Sequence, residues 1–262
     1  MTVPKEGCSS EAKDSSFSLV TAHFGSEFWI KELIKRANAF SEGLLEEIFI
    51  VDQNRGRPPI SLESKIPVQV LRVPKNTSQF AALGHDHPGA LQRAIDSIRF
   101  RSQRVVVMDS DCLPLSTDWI KHIGAKNETI LAGDPSKWGL THPCFMSIPV
   151  ASLKDVDFAE GVLTVGIDTG RLVGHQLVTA GRTVRIDQPV SAPWGRGHFY
   201  LQGTLYHHGS GSLRQIIYPN RGQRLENFLE QLYLKKVQKS KIGTSRSISI
   251  LKRLSSCLQG TF

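Results

Sequence analysis

Two aspartates separated by one residue follow an apolar run near the middle of the chain. The run is Val105–Met108, and Asp109 and Asp111 come directly after it. Four apolar residues after a charged one are typical of a strand buried on both faces of a parallel α/β sheet. If that strand continues to Asp111, both carboxylates lie on one side at its carboxyl end, where open α/β sheets bind ligands. Paired carboxylates are costly to desolvate and so indicate a divalent cation, whereas an Asp-Ser-Asp turn without a ligand is the plain alternative.

Strand and helix patterns alternate in the part of the chain that precedes these aspartates. Three apolar segments predict strands, at residues 17–22, 48–51 and 68–73. Apolar residues recur at helical spacing from Ser26, a plausible N-cap, and again from Pro88. This alternation predicts an α/β domain with a mostly parallel, doubly wound sheet.

Further elements are predicted beyond the aspartates. A short helix is expected around Trp119, and strands are expected at 130–133 and 183–186. The segment Pro143–Pro149 is bracketed by prolines, which suits an edge strand or a mixed part of the sheet. The region 194–203 is rich in glycine and aromatic residues and shows no clear period.

The net charge of +8 is unevenly placed. Residues 220–262 carry nine basic and two acidic residues, so about +7 resides in this tail. The tail contains an amphipathic pattern, which predicts either a helix packed on the domain or a membrane-surface helix. We therefore expect a flexible N-terminus at 1–16, one domain at 17–219 and a basic helical tail at 220–262. The tail is expected to contact an anionic membrane rather than nucleic acid.

The cysteines and the hydropathy of the chain bear on its cellular location. The four cysteines, Cys8, Cys112, Cys144 and Cys257, are far apart and form no CxxC pair, which suggests neither a zinc site nor a disulfide framework. No segment has the roughly 20 apolar residues of a membrane-spanning helix, and the polar N-terminus lacks the apolar run of a secretory signal. We therefore expect a cytoplasmic protein that can be peripheral at the inner face of the membrane through its basic tail.

Six segments follow one another in an order that is typical of one enzyme family. The first three are an opening strand and turn (17–26), a strand that ends in Asp (48–54) and a small-residue helix start (85–94). The other three are the Asp-Ser-Asp motif (109–111), a late acidic motif (167–172) and a late His pair (207–212). In this order they resemble the glycosyltransferases of the GT-A fold, and more specifically the family 2 type. No single segment is specific, so the resemblance depends on their order.

The resemblance implies a metal-dependent, inverting transfer of a sugar from a nucleotide-diphosphate sugar. Mn²⁺ or Mg²⁺ would be the cofactor, and the acceptor would be a glycan, a lipid-linked molecule or a small molecule. Nucleotide contacts are implied at the first two strand ends, by Thr21, Ala22, His23 and Asp52. Asp109 would contact the ribose or the metal, and Asp111 would be the direct metal ligand. The chain has no Gln-x-x-Arg-Trp motif, which the resemblance would lead one to expect of a processive synthase, so single sugar addition is expected.

The general base and a further metal ligand are also implied by the resemblance. Asp168 aligns with the Asp of the late acidic motif and is the candidate base, although Ile167 stands where a Glu is common; a helix N-cap is the alternative role. His207 and His208 are adjacent, so in an extended segment they point to opposite sides and at most one reaches the metal. His208, beside the Gly-Ser-Gly-Ser turn, is the one we favour.

Two other functions compete with this prediction. A nucleotidyltransferase also places carboxylates and Mg²⁺ at a strand end, but the turn at 23–27 lacks the Gly-rich, basic loop that would hold a triphosphate. The non-enzyme alternative is a catalytically inactive GT-A-like binding module, against which the retained Asp109, Asp111, Asp168 and late His weigh.

Overall fold

A computed structural model gives the fold of the chain. It describes residues 16–25, 27–54, 60–73, 87–135, 140–160, 170–194, 196–209 and 223–239. Within these ranges no helix combines the length and the apolar character needed to cross a membrane. The N-terminal residues, the predicted cap Ser26 and the tail beyond residue 239 lie outside the described residues.

A seven-stranded sheet forms the centre of the molecule. Its strands are β1 (Phe17–His23), β2 (Leu45–Asp52), β3 (Val68–Arg72), β4 (Arg104–Asp109), β6 (Glu128–Gly133), β7 (Thr141–Pro149) and β8 (Thr183–Asp187). They lie in the order β3-β2-β1-β4-β7-β6-β8. Only β7 runs against its neighbours, because it pairs antiparallel with both β4 and β6 while the other pairs are parallel. The prediction of a mostly parallel α/β sheet is therefore confirmed.

Helices cover both faces of this sheet. Within the described ranges, the α-helices are α1 (Glu27–Phe40), α2 (His87–Ser97), α3 (Val173–Thr179) and α4 (Gln223–Lys239). Short 3-10 helices span Thr117–His122, Val150–Asp155 and Leu201–Gly203. Alternate residues of β4 enter different cores: Val106 packs with α1, and Val105 and Val107 pack with α2 and α3. Because both of its faces are buried, β4 reads as a continuous apolar run in the sequence.

A second, smaller sheet adjoins the carboxyl end of β4. It contains β5 (Cys112–Pro114), β9 (Val190–Ser191), β10 (His198–Tyr200) and β11 (Leu205–His207), in the order β5-β11-β10-β9, and all its pairs are antiparallel. The chain leaves β4 at Asp109, turns through Ser110 and Asp111, and enters β5. The strand therefore does not continue to Asp111, and the two aspartates occupy the junction between the two sheets.

Helix α4 packs on the domain instead of standing apart from it. Leu234 belongs to the same core cluster as α1, and Val237 is buried against the small sheet. Lys235 and Lys236 are exposed on the outer side of the helix. The amphipathic pattern of the tail, Leu225, Phe228, Leu229 and Leu232, predicts an apolar helix face. Leu232 is nevertheless 39% exposed. The tail thus begins with a helix that contributes to the core.

Candidate metal centre

Asp109 and Asp111 approach each other at the end of β4. Their carboxylate oxygens and a ring nitrogen of His207 all lie within 4.8 Å of one another. Nε2 of His207 is 3.6 Å from Oδ2 of Asp109 and 3.4 Å from Oδ1 of Asp111. The Asp109 side chain is 24% exposed, whereas those of Asp111 and His207 are nearly buried. Asp109 therefore forms the open side of the cluster.

The hairpin of the small sheet positions His207. Strand β11 pairs His207 with Cys112, the residue that follows Asp111, and β10 pairs His198 with His207. The hairpin loop holds Leu201 at φ +49° in the left-handed region, where an L-residue costs roughly 1–2 kcal/mol. The Asp187 carboxylate accepts the N–H of Leu201 at 2.5 Å, which offsets part of this cost.

His208 points away from the carboxylates, which corrects the placement expected from the sequence. Its ring stacks on Trp29 with 4.3 Å between centroids, and its Nε2 lies 2.9 Å from Oε2 of Glu230 on α4. The hydroxyl of Tyr206 is 3.1 Å from Nδ1 of His208. Neighbouring residues of an extended chain point to opposite sides, and the pairing of β11 with β5 turns His207 toward the aspartates. The backbone N–H of His208 donates to the Asp111 carbonyl at 3.0 Å.

Strand β7 adds a thiol and a second imidazole to this region. The pairing of β6 with β7 is irregular between Leu131 and Ala132, where β7 carries extra residues. Pro143 lies in this bulge and has no N–H to give to the ladder. The freed N–H of Cys144 donates to Nδ1 of His142 at 3.2 Å. Ligand atoms of His142, Cys144 and His207 all lie within 4.8 Å of one another.

The charges in this cluster oppose one another at short range. Burial and the charge of Asp111 raise the pKa of Asp109 to about 7, while His207 opposes that shift. Burial lowers the pKa of His207, but the negative charges of Cys144 and Asp111 outweigh burial and raise it well above its ordinary value. Asp111 and Cys144 thus place negative charge around the His207 ring. A divalent cation could balance the same charge.

The pKa values of the neighbouring Cys112 and Cys144 shift in opposite directions. Burial alone would raise the pKa of the Cys144 thiol, but a hydrogen bond from Cys112 and the charge of His207 lower it well below its usual value. Burial and the contact with Cys144 raise the pKa of Cys112 well above its usual value. Cys112 therefore remains the S–H donor, and both cysteines are free in the structure.

The predicted nucleotide residues gather at the same edge of the sheet. The register places Ala22 opposite Asp109 and His23 opposite Asp52. The Thr21 hydroxyl is buried without a hydrogen-bond partner among the described residues. An oxygen of Asp52 accepts the backbone N–H of Asn54 at 3.0 Å and its side-chain amide at 3.1 Å. Asp52 therefore organises its own loop, and its contact with a nucleotide base stays a prediction.

The structure brings together some predicted site residues and adds others. Asp168 lies outside the described residues, so its role also stays a prediction. His142 and Cys144 were not selected from the sequence, and His207 was the less favoured of two adjacent candidates. One signal was available for the first two, because a His-x-Cys spacing in a strand puts both side chains on one face.

The donor set of the cluster is suited to a cation. Two carboxylates and an imidazole provide oxygen and nitrogen ligands of the kind that Mn²⁺ binds. No family model matches the chain, and no curated protein matches it significantly.

Proposed function

We propose that this protein is a metal-dependent glycosyltransferase of the GT-A fold that adds a single sugar from a nucleotide-diphosphate sugar, with inversion, and acts in the cytoplasm. The observation that carries the proposal is the convergence of Asp109, Asp111 and His207 at the carboxyl edge of a mostly parallel sheet. The ends of β1 and β2 lie at this same edge, so a bound diphosphate and its nucleoside would have adjacent sites.

The reaction explains why such a cluster is needed. Negative charge grows on the diphosphate as the sugar leaves, and a bound Mn²⁺ or Mg²⁺ would stabilise that charge as a Lewis acid. Asp111 and His207 are the buried residues that would hold the cation. Asp109 is partly exposed and lies beside Ala22, so it is placed to contact either the cation or the ribose.

Nucleotide binding provides the direct test of this function. Calorimetry with a panel of nucleoside diphosphates should show binding that requires Mn²⁺. Hydrolysis of the matching nucleotide sugar should then identify the donor. Absence of binding across the panel, or a clear preference for nucleoside triphosphates without sugar transfer, would contradict the proposal, and the second result would favour a nucleotidyltransferase.

Asp168 is proposed as the general base that takes the proton of the acceptor hydroxyl. The Asp168→Asn variant should keep donor binding and lose turnover by roughly 10²–10⁴-fold, the usual contribution of a positioned base. Asp157→Asn is the matched control, because Asp157 caps the backbone N–H of Ala159 and an amide oxygen can do the same. Normal turnover by Asp168→Asn would show that the residue has a structural role only.

The basic tail is proposed to hold the protein at an anionic membrane surface. Removal of the whole tail would also remove buried residues of α4, so charge reversal is the cleaner experiment. Replacement of exposed Lys235 and Lys236 by Glu should weaken cosedimentation with phosphatidylserine vesicles, most clearly at low salt. The same reversal at exposed Lys121 and Lys126 should not. If the wild-type protein does not cosediment with the vesicles at low salt, the proposed membrane contact is wrong.

A further inference from the structure

His142, Cys144 and His207 form a second set of metal-binding atoms beside the two aspartates. The ligand atoms of this triad lie within 4.8 Å of one another, the same limit that describes Asp109, Asp111 and His207. The rings of His142 and His207 are 5.0 Å apart between centroids. His207 belongs to both sets, so the carboxylates on one side and the thiol and second imidazole on the other share one ligand.

The fold gives this triad its position without help from the aspartates. The bulge in β7 presents His142 and Cys144, and the hairpin of the small sheet presents His207. Cys144 is fully buried, His207 is 5% exposed, and Nδ1 of His207 has no hydrogen-bond partner among the residues that the structure describes. A buried ring nitrogen without a partner is costly, which points to a missing ligand.

The chemistry of the donors selects the cation. A thiolate and two imidazoles are soft or borderline ligands, which Zn²⁺ prefers and which Mg²⁺ and Mn²⁺ bind less readily than oxygen. Three protein ligands with a fourth position for water is a common zinc arrangement. Bond lengths of about 2.0 Å to nitrogen and 2.3 Å to sulfur place tetrahedral ligands roughly 3.5 Å apart. Because 4.8 Å is the upper limit of their separations, the atoms of the triad would close by at most roughly 1.3 Å. Coordination at Nδ1 of His142 would replace its hydrogen bond with the Cys144 N–H.

We propose that His142, Cys144 and His207 bind Zn²⁺ at a site whose donors are distinct from the carboxylates of Asp109 and Asp111. The site does not depend on the glycosyltransferase proposal, because its donors stand on their own. Sharing of His207 has a consequence for the neighbouring site. Zn²⁺ held by the thiolate draws His207 away from the aspartates, so Zn²⁺ is expected to weaken Mn²⁺ binding there.

Cobalt substitution tests the site through an optical signal. The full-length protein, freed of metal by chelation and titrated with Co²⁺, should develop a thiolate-to-cobalt charge-transfer absorption that saturates near one equivalent and disappears when Zn²⁺ is added. The absorption should be lost in Cys144→Ser and strongly reduced in His142→Ala. It should persist in Cys112→Ser, because Cys112 lies outside the triad and a serine hydroxyl can still donate a hydrogen bond to the Cys144 sulfur.

This experiment distinguishes failure of the Zn²⁺ proposal from failure of the proposed Mn²⁺-dependent nucleotide site. Asp111→Asn should keep the cobalt–thiolate absorption even where Mn²⁺-dependent nucleotide binding is lost. Circular dichroism of each variant establishes that it is folded, and His142→Ala supplies a second measurement if Cys144→Ser does not fold. Absence of the absorption in folded wild-type protein, or its survival in folded Cys144→Ser or at full strength in His142→Ala, would overturn the zinc site.

Discussion

The Asp111→Asn variant is expected to lose Mn²⁺-dependent binding of nucleoside diphosphate by roughly 100-fold or more. Even outer partners of metal ligands cost 10–100-fold when they are removed, so a direct ligand should cost at least as much. Asn has the same shape and keeps the backbone carbonyl that accepts the His208 N–H. The substitution therefore removes a charge 3.4 Å from Nε2 of His207 while leaving the turn intact.

The measurement is calorimetry with the nucleotide identified by the panel, with and without Mn²⁺. Asp118→Asn is the control, since Asp118 is an exposed carboxylate paired with Lys121 on the 3-10 helix that follows β5. The control should bind as the wild type does. A folded Asp111→Asn protein with undiminished metal-dependent binding would remove Asp111 from the proposed site.

The two late histidines should behave differently under substitution. His207→Ala is expected to impair metal binding because His207 lies with both aspartates. His208→Ala is expected to reduce stability first, because its ring is buried between Trp29 and Glu230. This division follows from the structure, whereas the adjacent positions look equivalent in the sequence.

The parts of the fold with strong periodicity were predictable from the sequence. The apolar face of α1, with Trp29, Ile30 and Leu33, was identified by its spacing and is buried. The strand around Pro143 was expected at an edge or in a mixed part of the sheet, and the second alternative is confirmed, because it lies between β4 and β6 and pairs antiparallel with both. Its antiparallel direction and its bulge accommodate a proline that a regular central strand would not tolerate.

The small sheet was missed for a physical reason. Its strands contain two or three residues each, too few for alternation of polar and apolar residues to be visible. Its register nevertheless decides which of His207 and His208 faces the aspartates. The convergence of β7 with β4 likewise depends on long-range pairing, in which Met108 lies opposite Phe145 and Asp109 comes near Cys144. Neither fact can be obtained from local spacing.

Glu230→Ala is expected to destabilise the protein by roughly 1.5–3 kcal/mol, the usual contribution of a buried hydrogen bond to a carboxylate, because the indole N–H of Trp29 would lose its acceptor. The Glu230 carboxylate accepts the indole N–H of Trp29 at 3.0 Å and lies 2.9 Å from Nε2 of His208. The Glu230 side chain is 5% exposed and that of His208 is fully buried, so water cannot replace the lost contacts without rearrangement of α4. Urea unfolding gives the free energy directly, and Gln231→Ala, at the next and exposed position of the same helix, controls for helix propensity.

Glu230→Gln separates the charge from the hydrogen bond in this interaction. An amide oxygen can still accept the Trp29 N–H, so the loss should be smaller than for Ala, about 1 kcal/mol. Because the His208 N–H also holds the Asp111 carbonyl, release of α4 should loosen the metal turn and weaken Mn²⁺ binding in both variants. If both variants unfold as the wild type does, Glu230 does not anchor α4. If they are destabilised while Mn²⁺ affinity is unchanged, the helix supports the core without positioning the metal turn.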